Sequence, residues 1–345
     1  MTTAVARPFR FGVVAVTPRP SMADWVGAAR RFESLGYATI HFTDHFDRSP
    51  VAPLPMLAAL ATATESITLG TLVLDNDFRH PAVLAKELAT LDLIAPGRIE
   101  PGLGAGWMHA DYEVSGIAFD PPRVRIDRME EALLVLDGVL RGGPATVAGA
   151  HYQVHSLLST PPPTTLPRPR LLVGGGGQRV LRIAGRHADI VSVNWQNAAG
   201  RVVDEAVRSG GSTPTQHKID AIRAGAGDRF GDIELHLLAY VAAITDDPRG
   251  SAASFVAQRD LGLGIDEVLG APHCLVGSVD DVVERVVALR EQFGIGLVGD
   301  AAAGADAPVL VDLDACDRRF VHVFLSSSLR PTGSAIRRRP AGRPR

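Results

Sequence analysis

Short apolar runs alternate with segments of helical hydrophobic period along most of the chain. In segment 125–141, for example, apolar residues recur at steps of three and four positions, which is typical of a helix that packs one face on a sheet. This alternation predicts parallel strands joined by helices. Ser21 is the predicted cap of the first helix, and Ser278 with Asp281 is the predicted capping box of the last. The predicted strands are 9–16, 39–44, 68–75, 97–106, 170–177, 189–195 and 233–245, and the main predicted helices lie in 22–35, 54–64, 84–95, 125–141, 178–187 and 279–293.

Seven or eight such units over about 290 residues favour an eight-stranded (β/α)8 TIM barrel with insertions over a doubly wound sheet. The eighth strand is poorly marked: we expect it near Gly294–Val298, with 307–314 or 318–325 as substitutes. Pro101 should disturb the fourth strand, because proline removes a hydrogen-bond donor from the ladder. The prolines of 148–170 indicate an irregular insertion, which we expect to cover the pocket.

Two unequal parts are predicted, a barrel over 1–300 and an atypical C-terminal extension over 301–345. The extension has no useful amphipathic helix, and its last dozen residues are basic and rich in proline and glycine. That composition predicts partial disorder.

The composition excludes several classes of function. The formal net charge is −3, which does not favour nucleic acid or an anionic membrane as partner. Two cysteines far apart predict no disulfide frame and no cysteine-built zinc site, and no His, Asp or Glu cluster has metal-ligand spacing. The sequence shows no recognisable leader and no apolar stretch long enough for a membrane helix, so we expect a cytoplasmic protein. Lys86 and Lys218 are the only lysines among 35 basic Lys and Arg residues, which indicates a GC-rich bacterial genome.

Asp44 and His45 follow the second predicted strand directly. In a parallel barrel the reactive side chains lie at the carboxyl ends of the strands, where the loops between strands and helices gather. A positioned imidazole there can move a proton. The alternative is that Asp44 caps a turn and His45 lies on the surface.

The fifth predicted strand ends in a glycine run that enters a helix directly. Four glycines let backbone N–H groups converge, and the start of the helix adds partial positive charge, so the segment predicts a phosphate site. Arg179 could add a charge-assisted bond. The alternative is a tight glycine-rich turn; neither a Walker loop nor a Rossmann fingerprint is present, since Trp107 stands where the latter needs its third glycine.

The segments "FTDHF", "TLGTLVLDNDFRHPAVLAKELATLDLIAPGRIEPGLGAGW", "GAHYQV" and "LLVGGGGQRVLRIAGRHADIV" resemble the bacterial-luciferase-like monooxygenase superfamily, and within it the branch of F420-dependent oxidoreductases. The resemblance covers roughly residues 9–293. It implies a barrel that is usually a homodimer, with a flavin or deazaflavin over the carboxyl-end face. A small-molecule substrate and a flavin or F420 reductase as partner are also implied.

The resemblance also implies roles for individual residues. Asp44 and His45 match a pair that lines the ring system, with His45 as the acid/base. Leu72–Val73 matches the place of a non-prolyl cis peptide in several relatives. A sugar-phosphate dehydrogenase of this group has a catalytic Glu where Trp107 stands, so that arrangement is not transferred. The implied cofactor contacts are Leu72, Val73, Asp75, Ala105, Gly106, Trp107, Gly174, Gly175, Gly176, Gly177, Gln178 and Arg179.

The preferred hypothesis is an oxidoreductase that transfers a hydride between coenzyme F420 and a small organic substrate. An FMN-dependent two-component monooxygenase of the same fold is the alternative, and a catalytically degenerate cofactor-binding barrel is a third. Weaker candidates for the substrate pocket are His80, His109, Tyr112 and Asn194.

Overall fold

Parallel strands and helices alternate through residues 7–300, the part of the chain that the computed structural model describes. The strands are β1 Arg10–Val14, β2 Thr39–Phe42, β3 Thr68–Thr71, β4 Leu74–Asp75, β5 Ile99–Glu100, β6 Gly102–Gly104, β7 Ala145–Ala148, β8 Gln153–Leu157, β9 Leu172–Gly175, β10 Ile190–Val193, β11 Glu234–Ala239, β12 Val241–Ile244, β13 Cys274–Gly277 and β14 Ile295–Asp300. The helices are α1 Met22–Ser34, α2 Pro53–Ala61, α3 Pro81–Ile94, α4 His109–Ser115, α5 Pro122–Leu140, α6 Gln178–His187, α7 Asp204–Arg208, α8 Ser212–Ala226, α9 Pro248–Gln258, α10 Ile265–Leu269 and α11 Val279–Phe293.

The main sheet closes into an eight-stranded barrel. Its strands run in the order β4-β6-β9-β10-β11-β14-β1-β2-β3-β5, and the pairs β3/β4 and β5/β6 are halves of the third and fourth barrel strands. Both ends of the order therefore belong to the same two strands, so the sheet meets itself, and the predicted TIM-barrel class is confirmed. β14 pairs in parallel with β1 and β11, which makes it the eighth strand near the predicted position. The substitutes 307–314 and 318–325, like the extension 301–345, lie outside the described residues.

Two barrel strands are interrupted and one predicted strand is divided. Pro101 separates β5 from β6, as predicted, and the Leu72–Val73 peptide, which is cis, separates β3 from β4. The single strand predicted over 233–245 is wrong. The backbone N–H of Tyr240 donates to the His273 carbonyl, so β12 leaves the barrel and pairs with β13 in a separate two-stranded sheet.

Segment 148–170 packs along the outside of the barrel wall. Its first part contains β8, which pairs with β7 in an antiparallel hairpin that the prediction of irregular structure missed. Glu131 of α5 accepts the N–H groups of residues 150–152, and Asp92 of α3 accepts from Thr164 and Thr165. Tyr152 of the same segment reaches the side where the third strand ends: its hydroxyl accepts from Asn76 at 3.4 Å, and its ring meets the His80 ring. The expectation that the segment covers the pocket therefore stays a prediction.

The predicted helix faces and caps are confirmed. Met129, Leu133, Leu136 and Leu140 of α5 are all buried in the main core. The Ser21 hydroxyl accepts from the first turn of α1, and Ser278 with Asp281 forms the capping box of α11. A second apolar cluster joins Trp195 to α7, α9, α10 and β13.

Ion pairs lock the face of the barrel where the strands begin. Arg10 and Arg170 bind Glu234 at 2.8 Å each, and both also approach Glu100. Burial alone would raise the pKa of Glu100, but the nearby His41 ring and the charge of Arg10 outweigh it and lower the pKa to about 2. This face ties strands together, which leaves the opposite face for chemistry.

Candidate active site

His45 is held by a buried carboxylate at the carboxyl end of β2. Its Nδ1 lies 2.6 Å from Oδ2 of Asp111, whose other oxygen accepts the Phe46 N–H at 3.0 Å. Asp111 is only 2% exposed, whereas the His45 side chain is 21% exposed. A carboxylate oxygen accepts, so Nδ1 carries the hydrogen, and Nε2 has no hydrogen-bond partner among residues 7–300. The imidazole is oriented to exchange a proton at Nε2.

Aromatic rings flank this imidazole. The Trp107 ring meets His45 edge-on, with centroids 5.9 Å apart. Phe46, 54% exposed, packs on Phe78 at 4.8 Å, and Phe78 in turn contacts Tyr112. Trp107 therefore gives the imidazole an apolar neighbour, which suits a planar or apolar ligand.

Asp44 ties the second strand to the third. Arg79 donates to both of its oxygens, at 2.5 and 3.1 Å, and the Asp75 N–H donates at 3.1 Å. Both carboxylate oxygens of Asp44 thus accept hydrogen bonds from the protein itself. This geometry favours a positioning role for Asp44 over the catalytic role predicted from the sequence.

Two carboxylates lie within hydrogen-bond distance of one phenol hydroxyl at the end of the third strand. The Tyr112 hydroxyl lies 3.0 Å from both oxygens of Asp75 and from Oδ2 of Asp77, while Arg128 binds Asp77 through two N–H groups. Burial, together with the charges of Asp77 and Asp44, raises the pKa of Asp75 to about 7, despite its hydrogen bonds. Burial also raises the pKa of Tyr112, so the hydroxyl keeps its hydrogen. Asp75 therefore changes charge near neutral pH.

The loop after the fourth strand lies directly on this acidic group. Gly106 has φ +71°, and a Cβ there would collide with the Tyr112 hydroxyl and with Asp75. Arg125 donates to the carbonyls of Ala105 and Gly106 at 3.3 Å each. Only glycine fits at position 106, because the backbone conformation and the available space both exclude a side chain.

Val73 links three strands at the mouth. A Cβ on Gly104 would lie 2.6 Å from a Val73 methyl group, and one on Gly174 would lie 2.9 Å from the other. The two glycines thus leave the space that the Val73 side chain occupies. The third, fourth and fifth strands are in this way packed together beneath the mouth.

The glycine run between β9 and α6 forms a cradle, which we define as the backbone of residues 174–179. Gly174 is buried, the next three glycines are half-buried, and Gln178 is exposed. Gly177 is the N-cap of α6 without a side-chain cap, and open space lies where its Cβ would be. The first N–H groups of α6 therefore have no side-chain acceptor, and such a helix start can bind an anion.

A family model describing luciferase-like monooxygenases matches residues 1–254. The chain belongs to this luciferase-like family. An F420-dependent glucose-6-phosphate dehydrogenase from Microbacterium testaceum is 31% identical over 53% of this chain and 55% of its own. An FMNH2-dependent dimethylsulfone monooxygenase from Pseudomonas putida is 26% identical over 59% of this chain and 52% of its own. The chain thus spans about half the length of the curated relatives it matches.

The fold of solved structures agrees with this membership. An F420-dependent secondary alcohol dehydrogenase, solved with an F420-acetone adduct, superposes with a TM-score of 0.69 over 94% of this chain and 100% of its own, at 17% identity. At that identity the similarity establishes the fold alone.

Arg179 of this luciferase-like chain is turned away from the cradle. Its guanidinium pairs with Asp127 and donates to the Arg123 carbonyl at 3.3 Å, both on α5. The predicted bond from the Arg179 side chain to a phosphate stays a prediction, because it would require the guanidinium to leave Asp127. The backbone N–H groups of residues 177–179 at the start of α6 remain as donors for an anion.

Of the four weaker pocket candidates, Asn194 lies beside the glycines of the cradle. It follows β10 and bonds the Ser192 hydroxyl at 3.2 Å and the Tyr240 hydroxyl at 3.4 Å, beside Gly174. The other three lie elsewhere: exposed His80 caps α3, exposed His109 faces Glu113 at 3.7 Å, and Tyr112, 1% exposed, lies behind Asp75.

Sequence reasoning missed Asp111. The residue stands between His109 and Tyr112, which were both considered, and an acid in the first turn of a short helix is the only local signal. Its partner His45 lies 66 positions earlier, so one sequence gives no sign of the pair.

Across residues 7–300, no set of three or more His, Cys, Asp or Glu side chains is arranged to hold a metal ion. None of the helices in that range combines the length and the apolar character that a membrane crossing requires.

Proposed function

We propose that the protein is an oxidoreductase that transfers a hydride between coenzyme F420 and a small organic substrate. The observation that carries this proposal is the uncapped start of α6 behind half-buried glycines, at the same strand ends as His45. An anion-binding backbone and an oriented imidazole at one barrel mouth are what a phosphate-bearing redox cofactor and its substrate require. The names of several relatives support F420.

The residues at the mouth fit such a cofactor. The N–H groups of residues 177–179 would hold its phosphate, and Val73 with Ala105–Trp107 would contact its ring. The deazaflavin supplies the carbon that carries the hydride when it is bound. The protein supplies position and electrostatics.

His45 would move the proton that accompanies the hydride. Its Nε2 has no partner in the described chain, and Asp111 holds the ring in one orientation through Nδ1. Phe46 and Trp107 would exclude water from the same space. A substrate oxygen that gains or loses a hydrogen would therefore lie against Nε2.

An FMN-dependent monooxygenase is the second candidate. The FMNH2-dependent relative favours it, and a backbone cradle binds the phosphate of either cofactor. The degenerate-barrel alternative rested on a barrel that fails to close, whereas β14 completes the ring. A homodimer, a flavin or F420 reductase partner and a cytoplasmic location stay predictions.

Fluorescence titration of the purified protein with F420 and with FMN tests the proposal. We expect F420 to bind at least about tenfold more tightly, a difference of roughly 1.4 kcal/mol. Tighter binding of reduced FMN, with oxygen consumed, would establish the second candidate instead. Failure to bind either cofactor would leave the degenerate barrel.

A further inference from the structure

Lys218 is a buried cation without an acidic partner. Its side chain on α8 is 4% exposed, and Nζ donates to the carbonyls of Asn194 and Ser209 at 2.7 Å each. Among residues 7–300, no carboxylate oxygen lies within the 4.0 Å of an ion pair with it. Burial lowers the pKa of Lys218 to about 8, as expected for an ammonium held only by neutral carbonyls.

The choice of lysine here is unusual for this chain. Only Lys86 and Lys218 are lysines among 35 Lys and Arg residues, and Lys86 is exposed on α3. An ammonium is compact and directs three donors from one point, whereas a guanidinium is a planar fork. A position that must donate to two converging carbonyls in a small buried space therefore requires lysine.

The two carbonyls place the ammonium behind the cradle. A Cβ on Gly176 would collide with the Trp195 carbonyl and would lie 2.7 Å from the Asn194 oxygen. The Asn194 oxygen that accepts from Lys218 is thus one of the two carbonyl oxygens against which Gly176 packs. One carbonyl group separates the buried charge from the backbone of the cradle.

We propose that Lys218 is the positioning residue of the anion cradle: it fixes the end of β10 against Gly176 and leaves a buried positive charge behind the bound phosphate. A buried charge is poorly screened by salt, so it favours an anion even without direct contact. The inference rests on the proposed function, because it assumes that the cradle binds the cofactor phosphate.

The test compares the 5′-phosphate of the deazariboflavin chromophore of F420 with the same chromophore without phosphate. Fluorescence titration gives a Kd for each, and their ratio measures what the phosphate contributes. We expect Lys218→Met to reduce this ratio about tenfold, with little change in the Kd of the phosphate-free compound. Lys86→Met, the matched control, should leave the ratio unchanged. A merely structural defect would weaken both ligands alike.

Three outcomes overturn specific claims. If Lys218→Met folds and keeps the wild-type ratio, the positioning role is wrong while the cofactor assignment stands. If the wild-type protein shows no preference for the phosphate-bearing compound, the proposed function itself fails. Should the methionine variant not fold, Lys218→Gln retains N–H donors for the carbonyls and removes the charge; an unchanged ratio in that variant also refutes the inference.

Discussion

The two sides of the barrel mouth are built from different parts of the protein. The cradle consists of the backbone of consecutive residues 174–179, and within the described chain its helix start at Gly177 has no side-chain cap. The opposite side consists of side chains from separate elements: His45 after β2, Asp75 on β4, and Asp111 and Tyr112 on α4. The backbone side is half-exposed, whereas the carboxylates are buried or nearly so.

This difference separates binding from proton transfer. Backbone N–H groups do not titrate, so the cradle should bind an anion over a wide pH range. The side-chain group contains Asp75, whose charge changes near neutral pH. Substitutions in the cradle should therefore act on cofactor affinity, and those in the side-chain group should act on turnover and on pH dependence.

The largest expected effect comes from a charge placed in the cradle. Gly177 has φ −85° and no atom near its Cβ position, so it accepts an L residue without strain. Gly177→Asp should raise the cofactor Kd about a hundredfold, roughly 2.7 kcal/mol, because its carboxylate caps α6 and repels the phosphate. Titration fluorimetry measures this Kd, and thermal unfolding confirms that the variant folds.

Gly177→Asn is the matched control, since it caps the helix without a charge. Its Kd should change far less than that of the aspartate variant. Equal affinities for the glycine and aspartate proteins would place the phosphate elsewhere and remove the distinction between the two sides.

The next effect concerns the orientation of His45. In Asp111→Asn, an amide N–H facing Nδ1 would move the ring hydrogen to Nε2 and remove the proton acceptor there. Turnover should fall roughly 10- to 100-fold while the cofactor Kd stays within about tenfold. Steady-state kinetics and titration separate the two quantities.

Glu113→Gln, at an exposed residue of the same helix, is the control for this variant and should leave turnover unchanged. A large loss of cofactor affinity in Asp111→Asn, with normal turnover at saturation, would contradict the assignment of this side to proton transfer.

The smallest effect is on stability. Folding raises the pKa of Asp75 to about 7, so between pH 4 and 7 the folded state holds a proton that the unfolded state has lost. Stability from this group therefore falls as pH rises through that window. Asp75→Asn removes the ionisation, so we expect a higher Tm than wild type at pH 8, by about 2–4 °C for each kcal/mol regained, and no gain below pH 4.

Asp77→Asn is the contrast, because it breaks the ion pair with Arg128 and should lower the Tm at pH 8. A Tm difference between Asp75→Asn and wild type that does not depend on pH would show that Asp75 is not the titrating group.

Features made by neighbouring residues were predicted well. The helical stripe of 125–141, the capping box at Ser278 and the interruption at Pro101 all depend on steps of a few positions, and all three are confirmed. The glycine run was found for the same reason. The sequence did not show which of these glycines faces open space. Val180 blocks a side chain at Gly175, whereas nothing lies near the Cβ position of Gly177.

Features made by distant residues were missed or misplaced. The His45–Asp111 pair, the Asp44–Arg79 pair and the turn of Arg179 towards Asp127 join positions 66, 35 and 52 residues apart. The contacts of segment 148–170 with Asp92 and Glu131 were likewise not evident from its apolar composition.

By itself, the sequence determined the alternation of strands and helices, the barrel class and the backbone cradle. The hydrophobic period and the conformational freedom of glycine are both set within a few neighbouring residues, so a local pattern is enough to reveal them. Only the tertiary structure decided that Asp111 orients His45 and that Asp75 has a pKa near 7. It also decided that Lys218, one of two lysines, is buried behind the cradle. Those properties depend on burial and on partners that closure of the barrel brings together, and no local pattern encodes such distances.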